Sequence, residues 1–437
     1  MLTHIIATLA LSDPGKLRGQ DLLDDLSKRA VNYFWVEAHP KTGFTLDRAP
    51  NYKDKTEFDV SSIAAIGYGL AAYTIGAERG WIDKAEAKAR TILTLKNIPN
   101  IEGHKGWFYH FVNWETGKRV WNSELSSIDS ALMFTGMIMA DSYWNDPEIT
   151  KLTNAILDKV DWTWMLTDGG ALGNSLTFTM GWKPEDGFIP ARWNGFYEHL
   201  YLSIIAMGHS DAVPSNSWAA FQRGPKYTYK GIEFIHGAAL FIHQMPQAYL
   251  DFRNRRDYLG YDYWVSGRNA TLANRAYCID NPEKFKGYGP DIWGLSACDI
   301  PGGYGAPGAP GAIFDNGTLA PAAAVAAVMY EPELAKRAAE AFVREYPHSY
   351  GRYGFTTGIN PSKNWHSPDV IGIDIGQMLL AIENARDGKP WSWMDRHPIV
   401  RRGMAKAGFR NTDEGKITER RLYVPPVEIP PLPARPE

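Results

Sequence analysis

With 437 residues, 44% of them hydrophobic, and a net charge of −3 from 46 basic and 49 acidic side chains, the chain can bury a large core. It carries no global field that would draw nucleic acid or an anionic membrane. A neutral partner is expected, and the 16 Trp, 22 Tyr and 18 Phe suit sugar faces, which stack on aromatic rings. Cys278 and Cys298 match no zinc or redox spacing and are expected to be free thiols. No apolar run is long enough to span a bilayer, and MLTHIIATLALSDPG lacks the basic n-region of a signal peptide.

The spacing of apolar residues predicts a helix over 21–37, with Leu22, Leu23, Leu26, Ala30, Tyr33 and Phe34 on one face. Residues 58–77 are apolar nearly all round, which predicts a buried helix, whereas 83–96 are charged and amphipathic, as an outer helix should be. A buried helix over 126–142 precedes a more polar one over 148–165. A helix that carries Glu198 at its start comes next, and 231–252 is expected to be helical with a kink at Pro246. Further helices are expected over 263–279, 319–329, 331–346, 370–384 and 398–407. This makes about twelve, with buried and amphipathic members alternating. Two concentric layers require that alternation, so the expected architecture is all-α, a single (α/α)6 toroid over 20–410. An extension over 1–19 precedes it, and the Pro-rich YVPPVEIPPLPARPE ends an arm over 411–437.

Motifs exclude several chemistries. Gly303-Tyr304-Gly305-Ala306-Pro307-Gly308 fits the dinucleotide pattern G-x-G-x-x-G, but it lies in a Pro-interrupted stretch of roughly thirty residues with no strand-to-helix context to aim N–H groups at a pyrophosphate. His236 and His243 would share a helical face, but a packed histidine pair is the more ordinary outcome, and no H-E-x-x-H or G-x-S-x-G occurs. Carboxylates remain. In GWKPEDGFIPARWNGFYEHLYLSIIAMGH, Asn194 is placed to cap a helix with Glu198 in its first turn, beside Arg192, Trp193, Phe196 and Tyr197. In VWNSELSSIDSALMFTGM, Ser126 and Asp129 fit a capping box, and Glu124 adds a second acid next to Trp121. In a toroid the inner helix N-termini gather at one end, so Asp129 and Glu198 are expected to meet there. The aromatic surroundings make Glu198 the better acid and Asp129 the better base, the division of labour that glycoside hydrolysis needs.

The blocks RAVNYFWVEAHPKTGFTLDR, GWFYHFVNWETGKRVWNSELSSIDSALM, GWKPEDGFIPARWNGFYEHL, YGPDIWGLSACDIPGGYG, DNGTLAPAAAV and NPSKNWHSPDVIGIDIGQMLLAIEN resemble, in order, the bacterial glucoamylase-like (glycoamylase) domain family. That family includes endo-β-1,2-glucanases and relatives of the cyclisation domain of cyclic β-1,2-glucan synthases. The resemblance implies an (α/α)6 fold, no cofactor and no obligatory metal, two catalytic acids, and a periplasmic or secreted protein. It places the acids at Glu198, in FYEH, and Asp129, in I-D-S-A-L, with Glu124 as the alternative base. The loops expected at the same face supply candidate subsite residues: Asp47, Arg48, Trp107, His110, Trp121, Trp182, Arg192, Trp193, Tyr304, Trp365 and Asp374. The expected function is hydrolysis of β-linked glucan, β-1,2-glucan foremost. The alternatives are a retaining transglycosylase or cyclase, an elimination or epimerisation on the same toroid, and a catalytically silent glycan-binding protein.

Overall fold

The structure, a computed structural model, describes residues 14–53, 56–312 and 314–412. The Pro-rich arm and most of the N-terminal extension lie outside them. The helices are α1 (Gly19–Val36), α2 (Ile63–Glu78), α3 (Lys84–Asn97), α4 (Ser127–Trp144), α5 (Pro147–Leu157), α6 (Trp162–Thr167), α7 (Leu200–His209) and α8 (Ser217–Ala220). They continue as α9 (Phe241–Tyr249), α10 (Tyr263–Asp280), α11 (Pro321–Ala326), α12 (Pro332–Glu345), α13 (Gly372–Asp387), α14 (Lys389–Arg396) and α15 (Pro398–Lys406).

Helix α2 packs on α4, α4 on α7, α7 on α9, α9 on α11 and α13, α11 on α13, and α13 back on α2, which closes an inner ring of six. Helices α1, α3, α5, α15, α10 and α12 pack outside α2 and α13, α2, α4, α7, α9 and α11 respectively. The two layers follow from side-chain chemistry. Helix α2 buries every residue from Ile63 to Ala77, whereas α3 buries only Ala87, Thr91, Thr94 and Leu95. No described helix is long and apolar enough to cross a membrane.

Four sequence expectations need correction. The helix expected from residue 58 starts at Ile63, because Val60–Ser62 pairs with Phe111–Asn113 as a short ladder. The 148–165 helix is two, broken between Leu157 and Trp162. Residues 232–235 form a strand against Lys226–Tyr229, so only Phe241–Tyr249 is helical, with Pro246 inside it. The alternating β-branched and aromatic residues of that stretch made the hairpin, and the outer position beside α7 passes to α15 from later in the chain. Finally, α7 begins at Leu200 with no side-chain cap, so Asn194 is not its cap and Glu198 lies in the turn before it.

The closest inner crossing is α2 against α4. A Cβ built on Gly136 would sit 2.0 Å from the Gly67 carbonyl oxygen, and one on Gly67 would sit 2.5 Å from the Leu132 carbonyl oxygen. Both neighbours are backbone, which cannot rotate aside. We therefore expect Gly136→Ala to destabilise the protein by about 1–3 kcal/mol or more through overpacking, read as a fall in the urea midpoint. An unchanged midpoint would show that the two helices can separate freely.

Candidate active site

Short antiparallel ladders draw the inner helix starts together at one end. Ile63 N, opening α2, donates to the His110 carbonyl (3.1 Å), and His110 N donates to the Glu124 carbonyl (2.8 Å). Leu125–Ser126 then pairs with Gly181–Lys183, which pairs in turn with Gly187–Phe188. On the other side, Asp47 N donates to the Val60 carbonyl (2.9 Å) and Gly372 N, opening α13, donates to the Asp47 carbonyl (2.8 Å). Backbone pairing thus fixes where Asp47, His110, Glu124 and Asp129 point.

Asp129 enters from the first turn of α4. Ser126 caps that helix as expected, accepting from Asp129 N (3.1 Å), but its Oγ also donates to Asp129 Oδ2 (2.6 Å) in place of the backbone bond of a full capping box. Asp129 is not only a cap. His110 lies between the two acids, with Nδ1 3.0 Å from Glu124 Oε1 and Nε2 3.5 Å from Asp129 Oδ2. Burial by itself would lower the His110 pKa, but the charges of Asp129 and Glu124, with Asp47 beyond them, outweigh it and push the ring up to about 9. Glu124 moves the opposite way. Its burial is overcome by the hydrogen bond and charge of His110, and its carboxyl is held below its usual value.

Glu198 comes from the turn before α7. Burial pushes its carboxyl up to about 7, a backbone hydrogen bond partly offsets this, and the negative charge of Asp129 adds to it. Glu198 therefore lies within electrostatic reach of Asp129. Tyr201, from α7, and Tyr68, from α2, are buried in the same charge field: Tyr201 feels Glu198 and Asp129, and Tyr68 feels Asp374 and Asp129. Tyr68 Oη and Tyr249 Oη have no hydrogen-bond partner among the described residues.

A second group of acids adjoins the first through Asp47, which feels both His110 and Asp129. Arg48 reaches Asp47 (3.6 Å), Asp299 (3.3 Å) and Asp369 (3.6 Å), and Asp299 also accepts from Ser367 Oγ at 2.8 Å. Asp374, in the first turn of α13, accepts from Thr357 Oγ1; burial pushes it up to about 7, and the charges of Asp299 and Asp47 contribute. Tyr304 completes this group. It stands opposite Asp299 in the hairpin of Cys298–Ile300 with Gly303–Gly305 and is 55% exposed. The G-x-G-x-x-G stretch is therefore the second strand of a β-hairpin and the loop that follows it, not a phosphate cradle.

The structure does not bring all candidate residues here. Trp107 is fully buried among Phe134, Trp162 and Phe178, with Nε1 donating to the Asp161 carbonyl, so it is core. Arg192 is a loop staple, bound to Asp168 Oδ1 (2.5 Å), the Leu166 carbonyl and Ser175 Oγ (3.0 Å). Trp193 is buried, donates to Ser127 Oγ (2.9 Å) and stacks on His199, so it supports the wall. Phe196 faces His243 and Tyr263 in the core. Trp182 lies between His104 and Trp164, and Trp365 lies in a hairpin with Ile359–Asn360, neither touching the acids. Trp121 is exposed, held at φ +55° against Phe111, which stacks on His110 at 3.9 Å. His236 and His243 share no helical face, since His236 lies before α9. Both cysteines are free and buried, as expected.

Sequence reading missed Tyr68, Tyr201, Asp299, Asp369 and Thr357. The tyrosines lie in apolar helices, where nothing distinguishes them from core residues. Asp299 stood two residues from the Gly-Gly turn before Tyr304, the one signal that could have found it.

His110, Glu124 and Asp129 each place a possible metal-ligand atom within 4.8 Å of the others. The ring turns a different nitrogen to each acid.

Comparison with known proteins agrees with this architecture. A family model, glycoamylase, matches residues 190–398. An exo-β-1,2-glucooligosaccharide sophorohydrolase (non-reducing end) of Parabacteroides distasonis is 26% identical over 426 residues, covering 89% of this chain and 58% of that protein. The chain thus spans less than two thirds of that relative's length. Among solved structures, an endo-β-1,2-glucanase from Chitinophaga pinensis with sophorotriose and glucose superposes with a TM-score of 0.81 at 24% identity, over 89% of this chain and 97% of the other. A β-1,2-glucanase from Parabacteroides distasonis gives 0.82 at 24% identity, over 89% and 60%. The mostly helical fold and the resemblance to the glycoamylase family are both borne out.

Proposed function

We propose that this chain, similar to the glycoamylase family in sequence and fold, is a glycoside hydrolase acting on β-1,2-glucan or its oligosaccharides. The observation that carries the reading is Glu198, a carboxyl raised by burial to about 7 on the loop that Trp193 ties to Ser127, at the start of the helix that bears Asp129. The names of its relatives support the choice of linkage.

Hydrolysis asks for a proton donor on the glycosidic oxygen and an acceptor for the proton of the attacking water. Glu198, protonated up to about pH 7, gives its proton to the leaving oxygen as the C1–O bond breaks. Water attacks C1 from the opposite face and passes its proton to Asp129. The Ser126 and His110 contacts both fall on Oδ2 of Asp129, which leaves Oδ1 for that water. Asp47, Arg48, Asp374 and Tyr304 offer polar partners for sugar hydroxyls, and the exposed Trp121 offers a ring face.

Incubating the protein with β-1,2-, β-1,3-, β-1,4- and α-1,4-glucans, with products sized and their first anomer followed by NMR, tests this reading. Oligosaccharides from the β-1,2-glucan alone, released first as the α-anomer, are expected. Release from another glucan, or from none, would defeat the reading, and a β-anomer would replace inversion with a covalent glycosyl intermediate.

A further inference from the structure

We propose that His110 is a positioning residue: a doubly protonated imidazolium that clamps Glu124 with one nitrogen and Asp129 with the other, so that both acids stay ionised side by side. The inference rests on the hydrolytic reading above, in which Asp129 takes the proton from water, and it changes the role of His110 from subsite contact to charge clamp.

The argument begins with hydrogen-bond capacity. A carboxylate only accepts, so with Nδ1 bonded to Glu124 at 3.0 Å and Nε2 facing Asp129 at 3.5 Å, two ionised acids require a proton on both ring nitrogens. A neutral ring could serve one acid and would turn a lone pair on the other. Electrostatics point the same way. The three groups crowd within 4.8 Å, and two unshielded carboxylates that close would force one of them to take a proton. Every other charged neighbour of the ring or of Asp129 makes this worse, because Asp47 feels both and Glu198 feels Asp129. The cations beyond them are Lys183, which acts on Glu124, and Arg48, which is paired with Asp47.

Mechanism needs the clamp for a specific reason. Hydrolysis requires Asp129 ionised while Glu198 is still protonated, and the charge of Asp129 helps to keep the proton on Glu198. A fixed positive charge at Asp129 Oδ2 widens that window from its acid side. The ring is held for the task. Phe111 lies parallel to it at 3.9 Å and 14°, an arrangement that favours a cation over a neutral ring, and the His110 backbone is tied to Glu124 and to the start of α2.

The test has two arms. In the wild-type protein labelled with ¹⁵N-histidine, with the His110 signals identified by their loss in His110→Gln, both ring nitrogens are expected to remain protonated at pH 8, losing a proton near pH 9. This reading needs no substrate, so it decides the clamp even if the glucan assay fails. A ring with a single N–H at pH 8 would overturn the proposal. In turnover, His110→Gln is expected to lower kcat about tenfold or more and to move the acid limb of kcat/KM up by about one pH unit, with KM little changed. A raised KM with an unmoved acid limb would make His110 a sugar contact instead.

Discussion

Glu198→Gln is expected to lower kcat/KM on β-1,2-glucan about 100- to 10,000-fold, the usual worth of a positioned general acid, while the protein stays folded and still binds the glucan. The amide keeps the shape and the hydrogen bonds of the acid but has no proton to give. A β-sophoroside of an acidic phenol needs no protonation to leave, so on that substrate most of the rate should return. The same variant has a thermodynamic signature. The folded carboxyl titrates near 7 against its usual 4.5, so the folded state holds a proton that the unfolded state releases. The stability this contributes is fully present below about pH 4.5 and is lost as pH rises through about 7. Glutamine does not ionise, so at pH 8 the variant should be more stable than the wild type by about 1–3 kcal/mol, and the two should converge near pH 4. Normal turnover by Glu198→Gln would remove the assigned acid.

Asp129→Asn should cost a comparable 100- to 10,000-fold in kcat, and here the activated sophoroside should bring no recovery, because the missing group activates water and not the leaving oxygen. The contrast between the two variants on one substrate separates acid from base. Asn can still bond with Ser126, so helix α4 keeps its cap, and the loss of stability should stay near 1 kcal/mol. Sodium azide, a nucleophile that needs no base, is expected to restore part of the rate in Asp129→Asn and none in Glu198→Gln. Turnover within about tenfold of wild type in Asp129→Asn would pass the base to another acid of the site, Glu124 or Asp374.

Some of the site could be read from local chemistry. Asp129 was legible because S-x-x-D before an apolar run is a capping signature, and Glu198 because a lone acid among aromatic residues precedes a buried helix. Trp107, Trp193 and Arg192 could not be placed from sequence for a common reason. An aromatic or arginine residue in a loop has the same appearance in sequence whether it faces a substrate or pins the loop, and here Trp107 is core, Trp193 serves Ser127 and Arg192 serves Asp168. Tyr68 and Tyr201 were overlooked because a tyrosine in an apolar helix reads as core until the helix is placed in the ring.

By itself the sequence determined the layers: the all-round apolar runs of α2, α4 and α7 must be enclosed, and the one-sided faces of α3, α5 and α12 must lie outside. It also determined that acids open the inner helices. Only the tertiary structure decided which acids share a charge environment. His110, Glu124 and Asp129 span twenty positions, Asp47 comes from far earlier, and Glu198, Asp299 and Asp374 from far later, so nothing local couples them. Ring closure and the short ladders between loops bring them together, and burial at that shared end then sets Glu198 near 7 and His110 near 9. A pKa depends on the distance to every neighbouring charge and on the water excluded around it, and neither exists until the chain has folded.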